Sequence, residues 1–299
     1  MSNLKREIYK DLDVSNWKIY KGTELSNEDY HAEKEHSSSS NLKDLTATKK
    51  GRYDGDLWGI EKYYQEKVLH EKGEPKTSNA FDEGSLAHCL ILEKHNLEND
   101  FAVYQGFRKA GNDFKAFKAA EEAGLNRTIV SKSQFKKVEQ WVDAHYANET
   151  AVNLMDGCEF EYSLFGEIDG VKIKVRADAI NIEKGYIADV KTTSYDTDVD
   201  SFKETVNGFQ YELSGALYAQ LFSMYYGRKF DFYFDVLGKK DKSCEIFRLG
   251  EASVRKGNKK VRDALKVHSK CTESGIWLNP KQEVGVKTFK AGPYEILDV

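Results

Sequence analysis

Two charged segments constrain this chain more than any other feature. Lys174, Val175, Arg176, Ala177 and Asp178 come first; after the ten residues 179–188 come Asp189, Val190 and Lys191. Both lie in runs rich in Val, Ile and Tyr. Val171–Ile180 and Tyr186–Thr192 are bounded by turn residues and read as strands. Glu159–Phe165 reads as a third. Asp169 and Gly170 form a tight-turn signal between the first two strands, and Glu183, Lys184 and Gly185 separate the second from the third. The result is a three-strand meander. Side chains alternate between the faces of a strand, so Asp189 and Lys191 point one way and Val190 turns into the core. The hairpin can bring Asp178 across from Asp189, which puts two carboxylates and an ammonium group in one patch.

The flanking sequence supplies cover for such a sheet. Residues 1–20 are polar and read as a loose arm. Residues 24–72 read as helical, with a break near Gly51 and Gly55, and residues 37–40 are a run of serines that reads either as a surface loop or as the cap of a helix starting near Leu42. Further helices are expected over 79–93, 112–123, 132–148 and 208–226. A second hairpin is expected over 229–237 and 244–249, then a strongly basic helix over 251–270, and residues 280–299 read as irregular. No internal repeat or linker interrupts the chain, so a helical N-terminal part (about 21–150) and an α/β core (about 151–280) read as one domain, with 281–299 as a tail.

Composition narrows the class. Of 299 residues, 40% are hydrophobic, enough for a core, and 31% are charged, too many for an apolar membrane protein. No apolar run is long enough to span a bilayer, and the first residues carry no apolar signal core, so a cytoplasmic location is expected. Cys89, Cys158, Cys244 and Cys271 are scattered, and without a Cys-x-x-Cys pair they indicate neither a zinc site nor a redox motif. The net charge of −4 argues against a protein that coats DNA, but not against one that touches it along a local groove.

Carboxylates beside a lysine suit phosphodiester cleavage. That reaction needs an activated water, a neutralised phosphate and a stabilised leaving oxygen, and hard divalent cations on carboxylate oxygens supply all three. Asp178 and Asp189 can share the metal, the Val190 carbonyl can add a ligand, and Lys191 can position or deprotonate the water or stabilise transition-state charge. An Asp-x-Lys on a strand is also what a surface salt bridge looks like, so the segment alone leaves both readings open.

The chain resembles the RecE-type exonucleases of the PD-(D/E)xK nuclease superfamily. Lys174, Arg176 and Asp178, with Asp189, Lys191, Thr192 and Thr193, match the core motifs; Phe81, Gly84, Ser85 and His88 resemble the upstream helix. Asp29, Tyr30 and His31, the serines before Leu42 and Lys43, and Tyr211 to Tyr218 resemble further elements, in order, across about residues 25–225. Ser214 stands where the family often has Gln, and Gln210 is the candidate substitute. Ala177 replaces the leading Pro of the superfamily name. The resemblance implies a restriction-endonuclease-like α/β core, a central mixed β-sheet flanked by helices, with helical N-terminal decoration. It also implies His88 as a metal ligand, with two Mg2+ ions (Mn2+ as a substitute) among His88, Asp178, Asp189 and Val190. The implied activity is 5′ to 3′ degradation of double-stranded DNA ends, leaving 3′ overhangs for recombination. The implied assembly is a homo-oligomeric ring, favouring a tetramer, that works with a single-strand annealing protein of the RecT type. An endonuclease of the same superfamily, or a non-catalytic DNA-binding protein keeping the fold, are the alternatives.

The outer candidates carry two readings each. Gln210, Ser214 and Tyr218 share a helix face at intervals of four: either the polar side of an amphipathic helix, or Gln210 and Tyr218 facing the active site. Tyr211 reads as a packing residue. Lys174 and Arg176 either contact the DNA backbone or pair with carboxylates, and Glu161 is either a ligand through water or a solvated strand charge. Arg108 is the candidate for a terminal 5′-phosphate. Two basic segments, Arg108 to Lys118 and Arg255 to Lys270, read either as solvated faces or as DNA-channel walls. Trp58, Phe107 and Phe114 read either as core or as base-stacking wedges.

Overall fold

In the computed structural model, residues 13–46, 59–71, 78–106 and 109–277 are described. Strands β1 (Lys18–Tyr20), β4 (Glu159–Ile168), β5 (Val171–Asn181), β6 (Tyr186–Thr193), β7 (Asp231–Gly238) and β8 (Cys244–Arg248) form a six-stranded sheet in the order β1-β4-β5-β6-β7-β8. The sheet is mixed: β6 and β7 run parallel, and every other neighbouring pair is antiparallel. Strands β2 (Phe101–Tyr104) and β3 (Thr128–Ser131) form a separate parallel pair. The meander follows the expected register. Ile168 pairs with Val171 across Asp169 and Gly170, whose φ values of 51° and 77° are those a two-residue primed turn requires.

Parallel pairing of β6 with β7 needs a crossover. Helices α9 (Val199–Phe209) and α10 (Tyr211–Tyr226) supply it. They are not the single helix expected over 208–226. The chain breaks at Gln210, which takes a left-handed φ of 53° and serves as the C-cap of one helix and the N-cap of the next. Its side-chain oxygen accepts hydrogen bonds from Lys260 (3.1 Å) and Thr46 (3.4 Å), which offset the cost of that conformation.

Helices cover both faces. On one, α10, α11 (Glu251–Ser274), α2 (Ser39–Thr46) and α3 (Gly59–Tyr63) close over Ile173, Val175, Ala177, Ile187 and Phe232. On the other, α4 (Asn79–Leu92), α7 (Lys132–Ala147) and α8 (Glu149–Met155) close over Ala179, Ala188 and Val190. Ser131 opens α7 with a reciprocal capping box to Gln134, and Asn148 caps α8. Helices α10 and α11 meet at Gly257, where a Cβ would stand 2.0 Å from the Glu212 carbonyl. Lys256 and Lys260 of α11 pair there with the buried Glu212. The shorter elements α1 (Asn27–Ala32), α5 (Leu97–Asp100) and α6 (Gly111–Ala123) complete the described helices of regular α form.

Two expectations for the N-terminal part are corrected. Residues 18–20 are not a loose arm: Lys18–Tyr20 pairs antiparallel with Ser163–Phe165, so the otherwise open edge of β4 is covered. The serine run is not a surface loop. The Ser37 N–H donates to the Lys172 carbonyl (2.9 Å), its carbonyl accepts from Lys174 N–H (2.9 Å), and its hydroxyl meets the Tyr63 hydroxyl at 2.7 Å, buried. Ser39 then begins α2, which agrees with the capping alternative. Trp58, Phe107, Arg108 and the tail over 281–299 lie outside the described residues.

Candidate metal centre

The site forms where the sheet parts. The β5–β6 ladder runs from Asn181 opposite Tyr186 to Ala179 opposite Ala188 and ends there. The next pair in that register is Asp178 and Asp189. Instead of a ladder bond, the Val190 N–H donates to the Asp178 carboxylate (2.8 Å). On the other side, β4 pairs with β5 at Phe160–Ala179 and Tyr162–Ala177, and the pairing lapses at Glu161 between them. Glu161 has a left-handed φ of 51° inside a strand. This kink reverses the alternation: Phe160 packs on the α4 and α7 side and Tyr162 on the other. Glu161 and Asp178 are thus freed from the ladder at the same level.

Helix α4 brings His88 over this gap. Its Nε2 lies 3.0 Å from Asp178 Oδ2, and its Nδ1 lies 3.4 Å from Glu161 Oε1. Gly84, one turn earlier, would place a Cβ at ordinary contact, 3.5 Å, from the Thr192 hydroxyl, so the helix sits close to β6. One ligand atom from each of His88, Glu161 and Asp178 falls within 4.8 Å of the others. Glu161 Oε2 is held by Arg176 (2.5 Å), while the buried Oε1 has no hydrogen-bond partner. A buried, unpartnered carboxylate oxygen beside a second carboxylate and an imidazole fits a divalent cation, which would fill the open valence.

Asp189 and Lys191 occupy the α10 side of the same gap. They pair with each other, and Lys191 Nζ also lies 3.4 Å from the Val190 carbonyl and 5.5 Å from the ring centroid of Tyr211. The expected ligands are therefore divided: His88 and Asp178 converge with Glu161, while Asp189 is engaged by Lys191, with the Val190 carbonyl beside it.

Electrostatics follow this division. Burial disfavours the His88 imidazolium, but the Asp178 and Glu161 carboxylates outweigh it and hold the group up to about 9. Burial also raises Asp189 to about 6, with Asp178 repelling it and Lys191 opposing the rise. Burial works against Lys191, yet Asp189 and Asp178 hold it above the ordinary ammonium range. Burial opposes the Asp178 carboxylate too, but His88, Lys191 and the Val190 N–H leave it below the usual value.

The outer candidates fall into place differently. Tyr218 of α10 packs edge-on against Phe232 and lies near enough to the site for both aspartates, after burial and Tyr30, to raise its phenol well above its usual value, so it stays protonated. Gln210 does not reach it, because the break between α9 and α10 turns its side chain to Thr46 and Lys260. Tyr211 packs as expected, against Phe209 and Phe234, and also stands beside Lys191. Lys174 and Arg176 have internal partners, not a free surface. Lys174 donates to the Tyr30 and Glu33 carbonyls and pairs with Glu33; Arg176 holds Glu161 and donates to the Leu25 carbonyl (3.1 Å). The pairing alternative is the one seen, since desolvated cations this deep in a fold need partners. Glu161 is 7% exposed, so it is not a solvated strand charge. Of the basic segments, Lys109 pairs with Asp82, Lys118 with Glu122 and Lys259 with Asp263. Phe114 packs edge-on against Tyr104.

Lys43 of α2, which the sequence offered only as part of the resemblance and with no role, also comes near the site. Its Nζ lies 5.4 Å from the Tyr211 centroid, on a ring that Lys191 also meets. The signal was its place directly after the serine run and Leu42. A second cluster, His145, Asp235 and Cys244, is wholly buried between α7, β7 and β8. His145 Nδ1 is 2.7 Å from Asp235 Oδ2, and the Cys244 thiol donates to Oδ1 (3.2 Å). It offers no surface to a substrate and reads as an internal support.

Comparison with known proteins agrees with this architecture. A search of curated proteins gives no match. A solved structure of a candidate exonuclease from Eubacterium rectale is similar over 90% of this chain and 97% of that one, with 20% identity and a TM-score of 0.58, a likeness of fold. A phage-related exonuclease from Haemophilus somnus 129PT aligns over 81% of this chain and 96% of that one, at 12% identity and a TM-score of 0.32, too low to argue from. A family model described as a PDDEXK-like domain of unknown function (DUF3799) matches residues 38–282. That span contains the sheet from β4 to β8 and every residue of the candidate metal centre, and the chain belongs to this PDDEXK-like family.

Proposed function

We propose that this protein is a divalent-metal-dependent exodeoxyribonuclease that degrades double-stranded DNA from its ends. The observation that carries the reading is the meeting of His88, Glu161 and Asp178 at the parted strands, with Asp189 and Lys191 alongside. A bound Mg2+ or Mn2+ would neutralise the phosphate and lower the cost of activating water. His88, Glu161 and Asp178 would hold it, and Asp189 and the Val190 carbonyl stand where a second ion would need ligands. Lys191 would orient the water and stabilise charge building on the phosphate, with Asp189 keeping its ammonium in place. Tyr218, protonated, would serve as a hydrogen-bond donor. Arg176 holds Glu161 in one rotamer, leaving its other oxygen toward the metal.

The family resemblance supports the finer points: 5′ to 3′ polarity, a 3′ overhang, a ring of subunits with a tetramer favoured, and a RecT-type annealing partner for the exposed strand. Digestion of linear duplex labelled at either end, with closed circular duplex alongside and Mg2+ or EDTA in the buffer, tests the reading. The expected result is Mg2+-dependent loss of the 5′ label with the circle intact. Cleavage of the circle would make the protein an endonuclease, and no metal-dependent loss from any substrate would leave DNA binding without hydrolysis.

A further inference from the structure

The break at Gln210 has a product besides the change of helix direction. It sets Phe209, the last residue of α9, against Tyr211, the first of α10: their rings stack with centroids 5.5 Å apart and planes 19° apart. Tyr211 in turn leans on Phe234 (6.0 Å), and Phe234 packs edge-on against Phe202, which stacks on Phe247. A column of rings therefore runs from the core to the surface and ends in Phe209, which is 58% exposed. Phe209 thus rests on Tyr211 through its ring stack and leaves more than half of its surface in solvent, open to a partner.

Lys43 stands beside the same column. Two ammonium groups, Lys43 and Lys191, share the Tyr211 ring, and only Lys191 is matched by a carboxylate. Among the described residues Lys43 has no ion-pair partner, although it is half-buried. Burial and the repulsion of Lys191 push it down to about 8, against the attraction of Asp189 and Glu212, as expected of a desolvated cation lacking an anion. A depression of about 580 Å³, lined by Thr46, Asn207, Gly208, Gln210, Lys260 and Asp263 among others, opens beside the Gln210 break.

We propose that Lys43 and the Phe209–Tyr211 stack form the subsite for the nucleotide next to the scissile phosphodiester, with Lys43 on its phosphate and the open face of Phe209 on its base. An unpaired ammonium within reach of the catalytic lysine, joined to a sequence-tolerant stacking surface, is the chemistry that binds a nucleic acid strand without reading its sequence. Gln210 is a positioning residue here: it sets the two rings side by side through its backbone and touches no nucleotide. The subsite rests on the nuclease reading of the neighbouring metal centre, and its test separates the two.

The test uses the full chain and a duplex oligonucleotide carrying 2-aminopurine at its ends, with Ca2+ replacing Mg2+ so that binding is read without turnover. Expected for Lys43→Gln is binding about 10-fold weaker, with a log–log salt slope smaller in magnitude by about one, and restoration by Lys43→Arg. Expected for Phe209→Ala is binding weaker by about 5- to 100-fold, an unchanged salt slope and loss of 2-aminopurine quenching, with Phe209→Trp retaining both. Phe209 is exposed, so its variants fold irrespective of the outcome at Lys43, and thermal melting checks each protein. The proposal is overturned if either Lys43→Gln or Phe209→Ala matches wild type in affinity and in its own signature. Hydrolysis by wild type in Mg2+ is read separately. If wild type cleaves while these variants bind normally, the subsite alone fails; if wild type binds with these signatures but never cleaves, the nuclease reading alone fails.

Discussion

At the scale of single residues, His88 is shared by Asp178 and Glu161, Arg176 holds Glu161 and Lys191 pairs with Asp189, and each contact implies a measurable effect. Lys191→Ala is expected to lower kcat by about 10²- to 10⁴-fold, because the group acts on charge formed during the reaction. His88→Ala is expected to weaken Mn2+ affinity by about 10- to 100-fold, as measured by titration calorimetry. Mn2+ binding to metal-free protein should weaken as pH falls through about 6, where Asp189 takes up a proton and no longer serves its lysine or a cation. Metal-free protein should show a second dependence. His88 is raised from 6.5 to about 9 on folding, so its contribution to stability is complete below about pH 6.5 and is lost as pH rises through about 9. Denaturant melts in EDTA across that window check the sign. Asp178, Asp189 and Lys191 were legible in the sequence because strand alternation and a hairpin register are short-range rules. Glu161 was legible only as one of two open readings, because its place beside His88 depends on a left-handed kink in mid-strand. Nothing in the local pattern of Glu159–Phe165 announces that kink.

At the scale of elements, boundaries set by capping and turn chemistry were readable, and junctions set by tertiary contacts were not. The Asp169–Gly170 hairpin, helix α4 and helix α7 fall within a residue or two of their expected ends, since each is closed by local groups: a primed turn, Ser78 on the Phe81 N–H, and the Ser131–Gln134 box. The break at Gln210 defeats the same reasoning, because an apolar stripe at helical spacing continues across it. Hydrogen bonds from Lys260 and Thr46, distant in sequence, decide the matter. The β1 strand was missed for a related reason: three residues gain their structure only from the β4 edge. Two packing predictions belong here. Gly257→Ala would drive a methyl group into the Glu212 carbonyl, and a loss of about 1–3 kcal/mol is expected in urea melts. Asp235→Ala would remove the buried carboxylate that His145 and Cys244 face, and about 1–3 kcal/mol is expected to be lost.

At the scale of the whole molecule, charge is arranged to be used locally. The net charge is −4, and part of the basic complement is tied up in contacts within the chain: Lys174 and Arg176 tie α1 and the residues around it to β5, and Lys256 and Lys260 tie α11 to α10. A monomer of this kind has little sequence-independent hold on DNA. Processive degradation would then come from topology, a ring around the duplex, and not from affinity. Sedimentation equilibrium is expected to report a closed oligomer, with a tetramer favoured; a protein that stays monomeric while degrading DNA processively would contradict the ring. No helix among the described residues is long and apolar enough to cross a membrane.

The proposed metal assignment has His88, Glu161 and Asp178 holding the cation on which hydrolysis depends. It is tested most directly by following hydrolysis of linear duplex DNA while Mg2+ is titrated, for wild type, Glu161→Gln and Asp178→Asn. Wild type should saturate. Glu161→Gln should need about 10- to 100-fold more Mg2+ to reach half its maximum, and Asp178→Asn should stay inactive at every concentration. Hydrolysis that persists in EDTA, or an Asp178→Asn variant that follows the wild-type curve, would show that the cluster is not the metal centre.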